Sequence, residues 1–411
     1  MSALTPSLTP ANSPSAAHRS KAPNCPVCQS SSTYAFYRQD NVPAQDGIIW
    51  PTRQEAIDAP RGDIDLIYCP ACSHIFNHKF DVSRFLFNAT YDISLHHSPT
   101  YQKFIEELTA GLVERHDLRG KTIVELGCGK ADFLKGICEP FGNRGIGFDP
   151  TFIDSNLTDA QRKLIEVHPR YYTADDQRYQ GDFLTFRSML QYFRDPRTWL
   201  DTFRGSVKKP GGVIYAEVPN GAHTFAQLCI WNIVYEHGCF YSRQSLTKLF
   251  EEMGYFVQNC FPCFVEDQNL GIEAGIAPSA RKFAFDPAEV DAYTEKLEAF
   301  VAEHARITAH WRETLDELLK QGKRMALWGA GARAISFCTL FDLTDESVPY
   351  IVDINPKRQG NFLPRTLQKV VAPEHLLADK PDVIIITNSG YAAEIRQQIS
   401  EMGLLCDVMV L

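Results

Sequence analysis

The sequence lacks the features that mark several large classes of protein. Its net charge is −9, from 41 Lys and Arg against 50 Asp and Glu, so it lacks the positive field that binding to a nucleic-acid backbone requires. No apolar run approaches the ~18 to 20 residues of a membrane-spanning helix, and residues 1–23 lack the apolar core of a secretory signal. We therefore expect a cytoplasmic protein that binds neither nucleic acid nor a membrane, and the sequence leaves its oligomeric state open.

The chain does contain enough apolar residues to form more than one hydrophobic core. Hydrophobic residues make up 44% of its 411 positions and charged residues 22%, which is typical of a globular protein, and this length predicts two or three domains. Residues 1–22 differ, because they are rich in Ser, Pro, Ala and Thr and have no periodic pattern. We interpret them as a disordered tail.

Short apolar runs alternate with helix-length segments along most of the chain, and this alternation predicts an α/β fold. The runs interpreted as strands are 122–126, 145–149, 170–174, 183–187, 212–219, 256–261, 270–277, 324–328, 350–353 and 383–387. Apolar residues recur at helical spacing between Phe104 and Val113, and again after Asp286-Pro287, an N-cap followed by a proline in the first turn. We expect this second, longer helix to connect two domains.

Two Cys-x-x-Cys pairs, Cys25-Pro-Val-Cys28 and Cys69-Pro-Ala-Cys72, predict a metal site. Four thiolates complete a tetrahedral shell around zinc and leave no position for a substrate, so the metal would be structural. The polar segment between the pairs has too few apolar residues to fold unaided, whereas a metal would stabilise it. The alternative is a pair of redox or incidental turns. A third pair, Cys260-Phe-Pro-Cys263, has no partner pair, and we interpret it as core or loop cysteines.

The segment Glu125-Leu-Gly127-Cys128-Gly129 follows a predicted strand and precedes a helix. Glycines in such a turn let the backbone approach a ligand closely, and Asp149, at the end of the next strand, can accept both hydroxyls of a ribose. A Gly-x-Gly sequence alone is often only a tight turn. Together with the acid it predicts a site for a nucleoside cofactor.

A second glycine-rich turn, Trp328-Gly-Ala-Gly-Ala-Arg-Ala334, precedes a helix, and Asp353 ends the strand after that helix. This arrangement is that of another mononucleotide-binding unit. A nicotinamide cofactor, which would make the protein an oxidoreductase or a bifunctional enzyme, is one interpretation. A unit that only packs is another.

The combination of these motifs resembles the zinc-containing, three-domain nucleotide-sugar C-methyltransferase family. Besides the two Cys pairs, the resemblance is carried by LHHSPTYQKF, HDLRGKTIVELGCGKADFL, GFDP, KPGGVIYAEVPN, VYEHGCFYS and WGAGARA…IVDINPKRQG. It covers nearly everything after residue 22 and implies a class I methyltransferase (Rossmann-like) core that uses S-adenosylmethionine, a small N-terminal zinc domain and a second, C-terminal Rossmann-like α/β domain. The expected boundaries are a tail at 1–22, the zinc-binding domain at 23–84, the methyltransferase domain at 85–280, a helical linker at 281–322 and the C-terminal substrate-binding domain at 323–411.

The resemblance also implies roles for individual residues in methylation of a carbon next to a carbonyl. His237 would be the general base, Glu236 would orient or assist it, and Tyr235 or Tyr91 would hydrogen-bond the developing enolate oxygen. The residues implied at the cofactor are Glu125, Gly127, Cys128, Gly129, Asp149, Pro150 and Ser188. His96 and His97 belong to the segment that closes over the site in the family. The C-terminal domain would hold the nucleotide or another distal part of the substrate, a sugar nucleotide or secondary metabolite.

Two departures from the family pattern leave the substrate and the chemistry open. Val234 stands where deoxysugar members have Tyr, and Arg187-Ser-Met-Leu-Gln191-Tyr192 stands where many relatives have Arg-His-Val-Leu-Glu-His. The alternatives are an O- or N-methyltransferase of a small molecule, a cofactor-dependent enzyme that does not methylate, and a non-catalytic, zinc-stabilised binding module. Without the resemblance, Glu236-His237 is equally a polar loop that caps a helix starting at Ser242.

Overall fold

A computed structural model describes residues 22–411, with gaps at 49, 86, 88–90, 92–94 and 278–284. The predicted tail, apart from Ala22, and the predicted boundary at 280–281 lie outside the described residues. No helix of the described residues combines the length and the apolar character that a membrane span requires.

The N-terminal part forms a small antiparallel sheet between the two Cys pairs and beyond them. Its elements are β1 Tyr34–Pro43, α1 Arg53–Ile57, β2 Arg61–Cys69 and β3 His74–Asn77. The fourth strand of this sheet, Cys239–Phe240, comes from much later in the chain and pairs with Ile75 and Phe76 of β3. This sheet therefore includes a piece of the following α/β region.

The central part is a seven-stranded sheet with helices on its faces. Its elements are α2 Pro99–His116, β4 Thr122–Leu126, α3 Asp132–Cys138, β5 Arg144–Phe148, β6 Ile165–His168, β7 Phe183–Arg187, α4 Pro196–Arg204, β8 Val213–Pro219, α5 Gly221–Phe225, β9 Cys239–Phe240 (paired with β3), α6 Arg243–Glu252, β10 Phe256–Cys263 and β11 Asn269–Gly275. The strand order is β10-β11-β8-β7-β4-β5-β6, with β11 antiparallel to its neighbours. This is the topology of a class I methyltransferase core, so the predicted fold class is confirmed.

One predicted strand of this sheet is wrong. Residues 170–174 form a turn that leads into a 3-10 helix at Ala174–Arg178, and the strand lies earlier, at Ile165–His168. The buried carboxylate of Asp176 accepts a hydrogen bond from the backbone N–H of Thr173 and pairs with Arg170 at 2.6 Å. These local bonds outweigh the β propensity of the two tyrosines in the segment.

The C-terminal part is a second, fully parallel sheet preceded by a long helix. Its elements are α7 Pro287–Lys320, β12 Met325–Trp328, α8 Ala332–Phe341, β13 Tyr350–Val352, β14 Lys369–Val371, α9 His375–Asp379, β15 Val383–Ile386, α10 Ala392–Glu401 and β16 Asp407–Val410. The strand order is β14-β13-β12-β15-β16, which confirms the expected second Rossmann-like unit. The sequence analysis missed β14 and β16, two short strands at the sheet edges.

Aromatic side chains join the three parts into one hydrophobic core. Phe300 of α7 contacts Phe36 of β1 and Phe225 of α5, with ring centroids 6.1 and 5.1 Å apart. Trp311 of the same helix lies 5.2 Å from Phe337 of α8. The long helix α7 therefore contacts elements of the N-terminal, central and C-terminal parts. It packs these three parts together around the space between them.

Candidate active site

A cavity of about 990 Å³ lies between the central and C-terminal sheets. Its wall includes the Gly127–Gly129 turn after β4 and the Gly329–Gly331 turn after β12. Both turns are at the carboxyl ends of parallel strands, where the strand order reverses, which is the usual ligand site of open α/β sheets. The N-terminal part contributes Asp46 and Tyr91 to the same wall.

The first turn has the geometry of a nucleoside cradle. Gly127 and Gly129 have φ of +67° and +53°, in the left-handed region that favours glycine. The N–H of Gly129 donates to Oδ2 of Asp149 over 2.8 Å, and the N–H of Thr151 donates to Oδ1 over 2.7 Å. A Cβ on Gly129 would meet no atom within 4 Å, so this glycine faces open space in the cavity.

Glu125 is a buried carboxyl group at the cavity wall without a full set of partners. Its side chain is 3% exposed, and its Oε2 atom has no hydrogen-bond partner. Burial raises the pKa of Glu125 to about 8, and the nearby Asp149 adds to this rise, while Arg187 opposes it. A positively charged ligand group at this wall would satisfy the carboxylate.

The remaining residues implied at the cofactor also line the cavity. Cys128 is the middle residue of the turn, and Pro150 directly follows Asp149. Ser188 follows β7 and has φ of +51°. Next to Ser188, the guanidinium of Arg187 donates to Glu217 and to the hydroxyl of Tyr101. The first turn thus lies between a buried carboxyl and a buried guanidinium group.

The Glu236-His237 loop is held by the N-terminal sheet. The carbonyl of Gly238 accepts a hydrogen bond from the N–H of Asn77 over 2.8 Å, and β9 then continues this pairing with β3. The ring of His237 lines the cavity and its Nδ1 has no partner. Burial lowers the pKa of His237 to about 4, so the ring is neutral at pH 7 and able to accept a proton.

The carboxylate of Glu236 does not line the cavity and is separated from it by the groups that it binds. Its side chain is 2% exposed. Oε1 accepts a hydrogen bond from the hydroxyl of Tyr91 over 2.7 Å, and Oε2 accepts one from the N–H of Asp46 over 2.9 Å. The side chain that faces the cavity at this point is therefore that of Tyr91.

Tyr235 does not line the cavity, so its predicted contact with the enolate oxygen is wrong. Its hydroxyl accepts from the N–H of Asp81 over 2.9 Å and donates to the carbonyl of Lys79 over 3.1 Å. Its ring stacks on Phe80. Because consecutive residues point in different directions, the side chain before Glu236 packs into the N-terminal sheet. His96 and His97 do line the cavity.

The four cysteines of the two N-terminal pairs converge. Their sulfur atoms all lie within 4.8 Å of one another, with Cys25 to Cys72 at 3.7 Å and Cys28 to Cys69 at 3.6 Å. A tetrahedral zinc site with Zn–S bonds of about 2.3 Å places its sulfurs about 3.8 Å apart. The arrangement fits that geometry. Among the described residues, no other Cys, His, Asp and Glu group of this kind occurs.

The second glycine turn repeats the hydrogen bonds of the first. The N–H of Ala330 donates to Oδ2 of Asp353 over 2.8 Å, and the N–H of Asn355 donates to Oδ1 over 2.8 Å. Gly329 has φ of +105°, and a Cβ there would lie 2.6 Å from the hydroxyl of Thr387. Asp353 therefore has the same relation to its turn as Asp149 has to the first.

Two guanidinium groups flank the second turn. Arg333 is buried and donates to Asn232, Asn388 and His223 at 2.9, 2.9 and 3.3 Å. None of these partners carries a negative charge. Asn232 and Asn388 are amides, and burial and Arg333 itself lower the pKa of His223. Arg358 donates to the carbonyl of Ala330 over 2.8 Å. This end of the cavity therefore presents two guanidinium groups beside the carboxylate of Asp353.

Two family models match the chain. Residues 97–259 match a methyltransferase domain, and residues 286–404 match the C-methyltransferase C-terminal domain. The chain is an S-adenosylmethionine-dependent methyltransferase. A curated relative of this methyltransferase is the C-methyltransferase NovU of Streptomyces niveus, which is 25% identical over 304 residues, spanning 69% of this chain and 70% of the relative.

Solved structures resemble part of the methyltransferase. A SAM-dependent methyltransferase from Aquifex aeolicus is 15% identical, with 48% of this chain and 100% of the other covered and a TM-score of 0.34. Magnesium protoporphyrin IX methyltransferase (ChlM) from Synechocystis PCC 6803 with bound SAM is 11% identical, with 43% and 80% covered and a TM-score of 0.32.

The residues around the first turn fit S-adenosylmethionine. Asp149 is a carboxylate whose oxygens can accept hydrogen bonds from ribose hydroxyls, Gly129 leaves open space beside the backbone, and Oε2 of Glu125 has no partner and suits a cationic group. When bound, S-adenosylmethionine supplies an electrophilic methyl group. The role of the residues around the cavity is to orient that methyl group toward the substrate and to exclude water.

Several side chains that line the cavity were not predicted as site residues, although Arg187 and Tyr192 lie in the segment that departs from the family pattern. These side chains are Asp46, Arg187, Tyr192, Arg333 and Arg358. Arg187 ends a buried strand and Arg333 follows a glycine turn, and both positions are sequence signals for a ligand site. Asp46 lies in a loop without such a signal, so only the folded chain brings it to the cavity.

Proposed function

We propose that the protein methylates a carbon next to a carbonyl group in a small substrate that carries a nucleoside diphosphate, such as a sugar nucleotide. The observation that carries the proposal is that a neutral, unpartnered histidine, His237, faces the same cavity as the cofactor turn. The relative's name and the C-terminal family model both refer to C-methylation.

Carbon methylation requires a base, because the carbon attacks only after it has lost a proton and become part of an enolate or enol. His237 can take that proton, since its lowered pKa keeps the ring neutral. The N–H of His237 donates to the carbonyl of Val234 over 3.2 Å, which fixes the start of the loop. Tyr91 lies at the same wall, and its hydroxyl donates to the buried carboxylate of Glu236 over 2.7 Å.

The nucleoside diphosphate is assigned to the second turn. Arg333 and Arg358 provide positive charge there, and α8, a helix of 10 residues, directs its N-terminal N–H groups toward the same space. Guanidinium groups and a helix N-terminus together favour phosphate oxygens. Asp353 is placed for the ribose, as Asp149 is in the first turn. This supports a substrate site over a unit that only packs.

We also propose that Cys25, Cys28, Cys69 and Cys72 hold one structural zinc ion, and that the zinc-binding, methyltransferase, linker and C-terminal regions have the boundaries expected from the sequence. The sulfur positions support the metal. The ion would link the two Cys-x-x-Cys turns of the N-terminal segment. The sheet of this segment is completed by β9.

The experiment that tests the function follows exchange of the substrate proton in D2O without methyl donor, using dTDP-, UDP- and GDP-linked 4-keto-6-deoxyhexoses. We expect the protein to exchange the proton next to the carbonyl of at least one probe, and His237→Ala to lower that rate by about 10²- to 10⁴-fold. His310→Ala, which removes an exposed histidine of α7, should leave the rate unchanged. S-adenosylmethionine affinity should be retained in both variants.

The pH dependence gives a second readout of the same prediction. The active form is neutral His237, which is lost only as the pH falls through the lowered pKa of about 4. The exchange rate should therefore show no inflection near pH 6.5, the ordinary value for histidine. If His237→Ala exchanges the proton at the normal rate, His237 is not the base. If oxygen or nitrogen is methylated without any exchange, the carbon reaction is wrong.

A reciprocal binding experiment tests the two ligand sites. Asp149→Ala should weaken S-adenosylmethionine binding by about 10- to 100-fold and leave binding of the nucleoside diphosphates dTDP, UDP and GDP unchanged, because charge-assisted hydrogen bonds are lost at one site only. Arg333→Gln should have the opposite pattern. Arg396→Gln, which removes an exposed arginine of the same domain, should change neither affinity in calorimetry. Equal effects of Asp149→Ala and Arg333→Gln on one ligand would contradict the assignment, and tight binding of NAD would support a nicotinamide site instead.

Metal analysis tests the zinc site. The unaltered protein should contain one zinc per chain, and Cys69→Ser should lose it, because three thiolates leave the shell incomplete. Cys263→Ser, taken from the third Cys-x-x-Cys pair, should retain it. Stoichiometric zinc in Cys69→Ser would show that the metal is held elsewhere.

A further inference from the structure

We propose that Tyr192 is a further catalytic residue, and that Tyr192 and Tyr91 form a hydrogen-bonded relay that carries a proton from an oxygen of the substrate to the buried carboxylate of Glu236. The inference rests on the proposed function, methylation of an enolisable carbon. It assigns a role to a position at which this chain departs from the sequence pattern of its relatives.

The two phenols and the carboxylate form a continuous chain of hydrogen bonds. The hydroxyl of Tyr91 donates to Oε1 of Glu236 over 2.7 Å, and the hydroxyls of Tyr91 and Tyr192 lie 2.9 Å apart. A phenol has only one proton to donate. Since Tyr91 donates its proton to Glu236, Tyr192 is the donor to Tyr91, and every donor in the chain points toward the carboxylate.

The two phenols line the substrate cavity, and the carboxylate does not. Tyr192 and Tyr91 line the cavity, as does His237, whereas Glu236 is buried behind Tyr91 and the N–H of Asp46. Because the hydroxyl of Tyr192 donates its proton to Tyr91, its oxygen keeps a lone pair, so the relay accepts a hydrogen bond from a substrate hydroxyl, such as an enol.

This direction completes the proton balance of the reaction. The imidazolium form of His237 gives up its proton readily, because burial lowers its pKa to about 4, so it passes the proton taken from carbon to the more basic enolate oxygen and returns to its neutral form. The substrate is then an enol. Burial raises the pKa of both Tyr91 and Tyr192, so both remain hydroxyls that can each accept one proton and donate another.

The methylation step then moves one proton along the relay. The O–H bond of the enol breaks and its proton passes to Tyr192, while Tyr192 gives its own proton to Tyr91 and Tyr91 gives its proton to Glu236. The electron pair of the O–H bond forms the carbonyl. The former C=C pair forms the bond to the methyl carbon, whose bond to sulfur breaks with its pair on sulfur. One proton leaves the substrate and ends on Glu236.

The ring of Tyr192 has packing contacts that a phenylalanine would keep. Its centroid lies 6.2 Å from that of Phe85 and 5.6 Å from that of Phe87. Tyr192→Phe therefore removes the hydroxyl and preserves the aromatic cluster. Tyr235→Phe is the matched control, because it removes a hydroxyl next to Glu236 in sequence that bonds only to the backbone outside the cavity.

The test compares methylation with proton exchange for the keto-deoxyhexose probe that the unaltered protein uses best. Tyr192→Phe should lower kcat for methylation by about 10²-fold, the usual contribution of a positioned proton-transfer group, while exchange without methyl donor stays within about threefold because His237 performs it. The Tyr91→Phe and Tyr192→Phe double variant should lose no more than the more damaging single one, since both belong to one relay. Tyr235→Phe should keep both rates.

Each other outcome overturns the relay. Normal methylation by Tyr192→Phe would show that its hydroxyl carries no proton. Equal loss of exchange and methylation would show that Tyr192 only supports the structure around His237. If the unaltered protein neither exchanges nor methylates any probe, the proposed function fails and the relay falls with it.

Discussion

The pairing of β3 with β9 is the interaction on which the rest of the active site depends. Two residues of the N-terminal hairpin, Ile75 and Phe76, form a ladder with Cys239–Phe240, directly after the Glu236-His237 loop. A two-residue strand cannot hold a position by itself. Cys69 ends β2, and β3 begins at His74, two residues after Cys72, so a metal that fixes these cysteines also fixes the strand that anchors the loop.

The two Rossmann-like units contribute in a related way, because each presents its glycine turn and strand-end acid to the same cavity. Asp149 and Asp353 accept the same pair of backbone hydrogen bonds, yet their surroundings differ in charge. The first turn lies beside the unpartnered carboxyl of Glu125 and suits a cationic cofactor, whereas the second lies beside Arg333 and Arg358 and suits phosphate. Both turns and His237 line one cavity.

The sequence predicts what depends on local pattern and misses what depends on contacts between distant segments. The run 122–126 and the turn after it have strong local signals, and both lie where expected. In contrast, 170–174 is not a strand because Asp176 draws Thr173 and Arg170 into a turn. Tyr91 and Glu236 are hydrogen-bonded across 145 residues of sequence. No spacing rule reports such a contact, and none indicates that Tyr235 points away from the cavity while its neighbour does not.

The central proposal, that a zinc ion on the four cysteines positions the Glu236-His237 loop through β3, is tested most directly by hydrogen–deuterium exchange of the intact protein before and after treatment with a zinc chelator. The account predicts that amides of 236–241 lose protection together with those of 72–77, while β4 and β5 in the central sheet keep theirs. If loss of protection were confined to the N-terminal sheet and 236–241 exchanged as slowly as before, the loop would be held by its own domain and the claim would be contradicted.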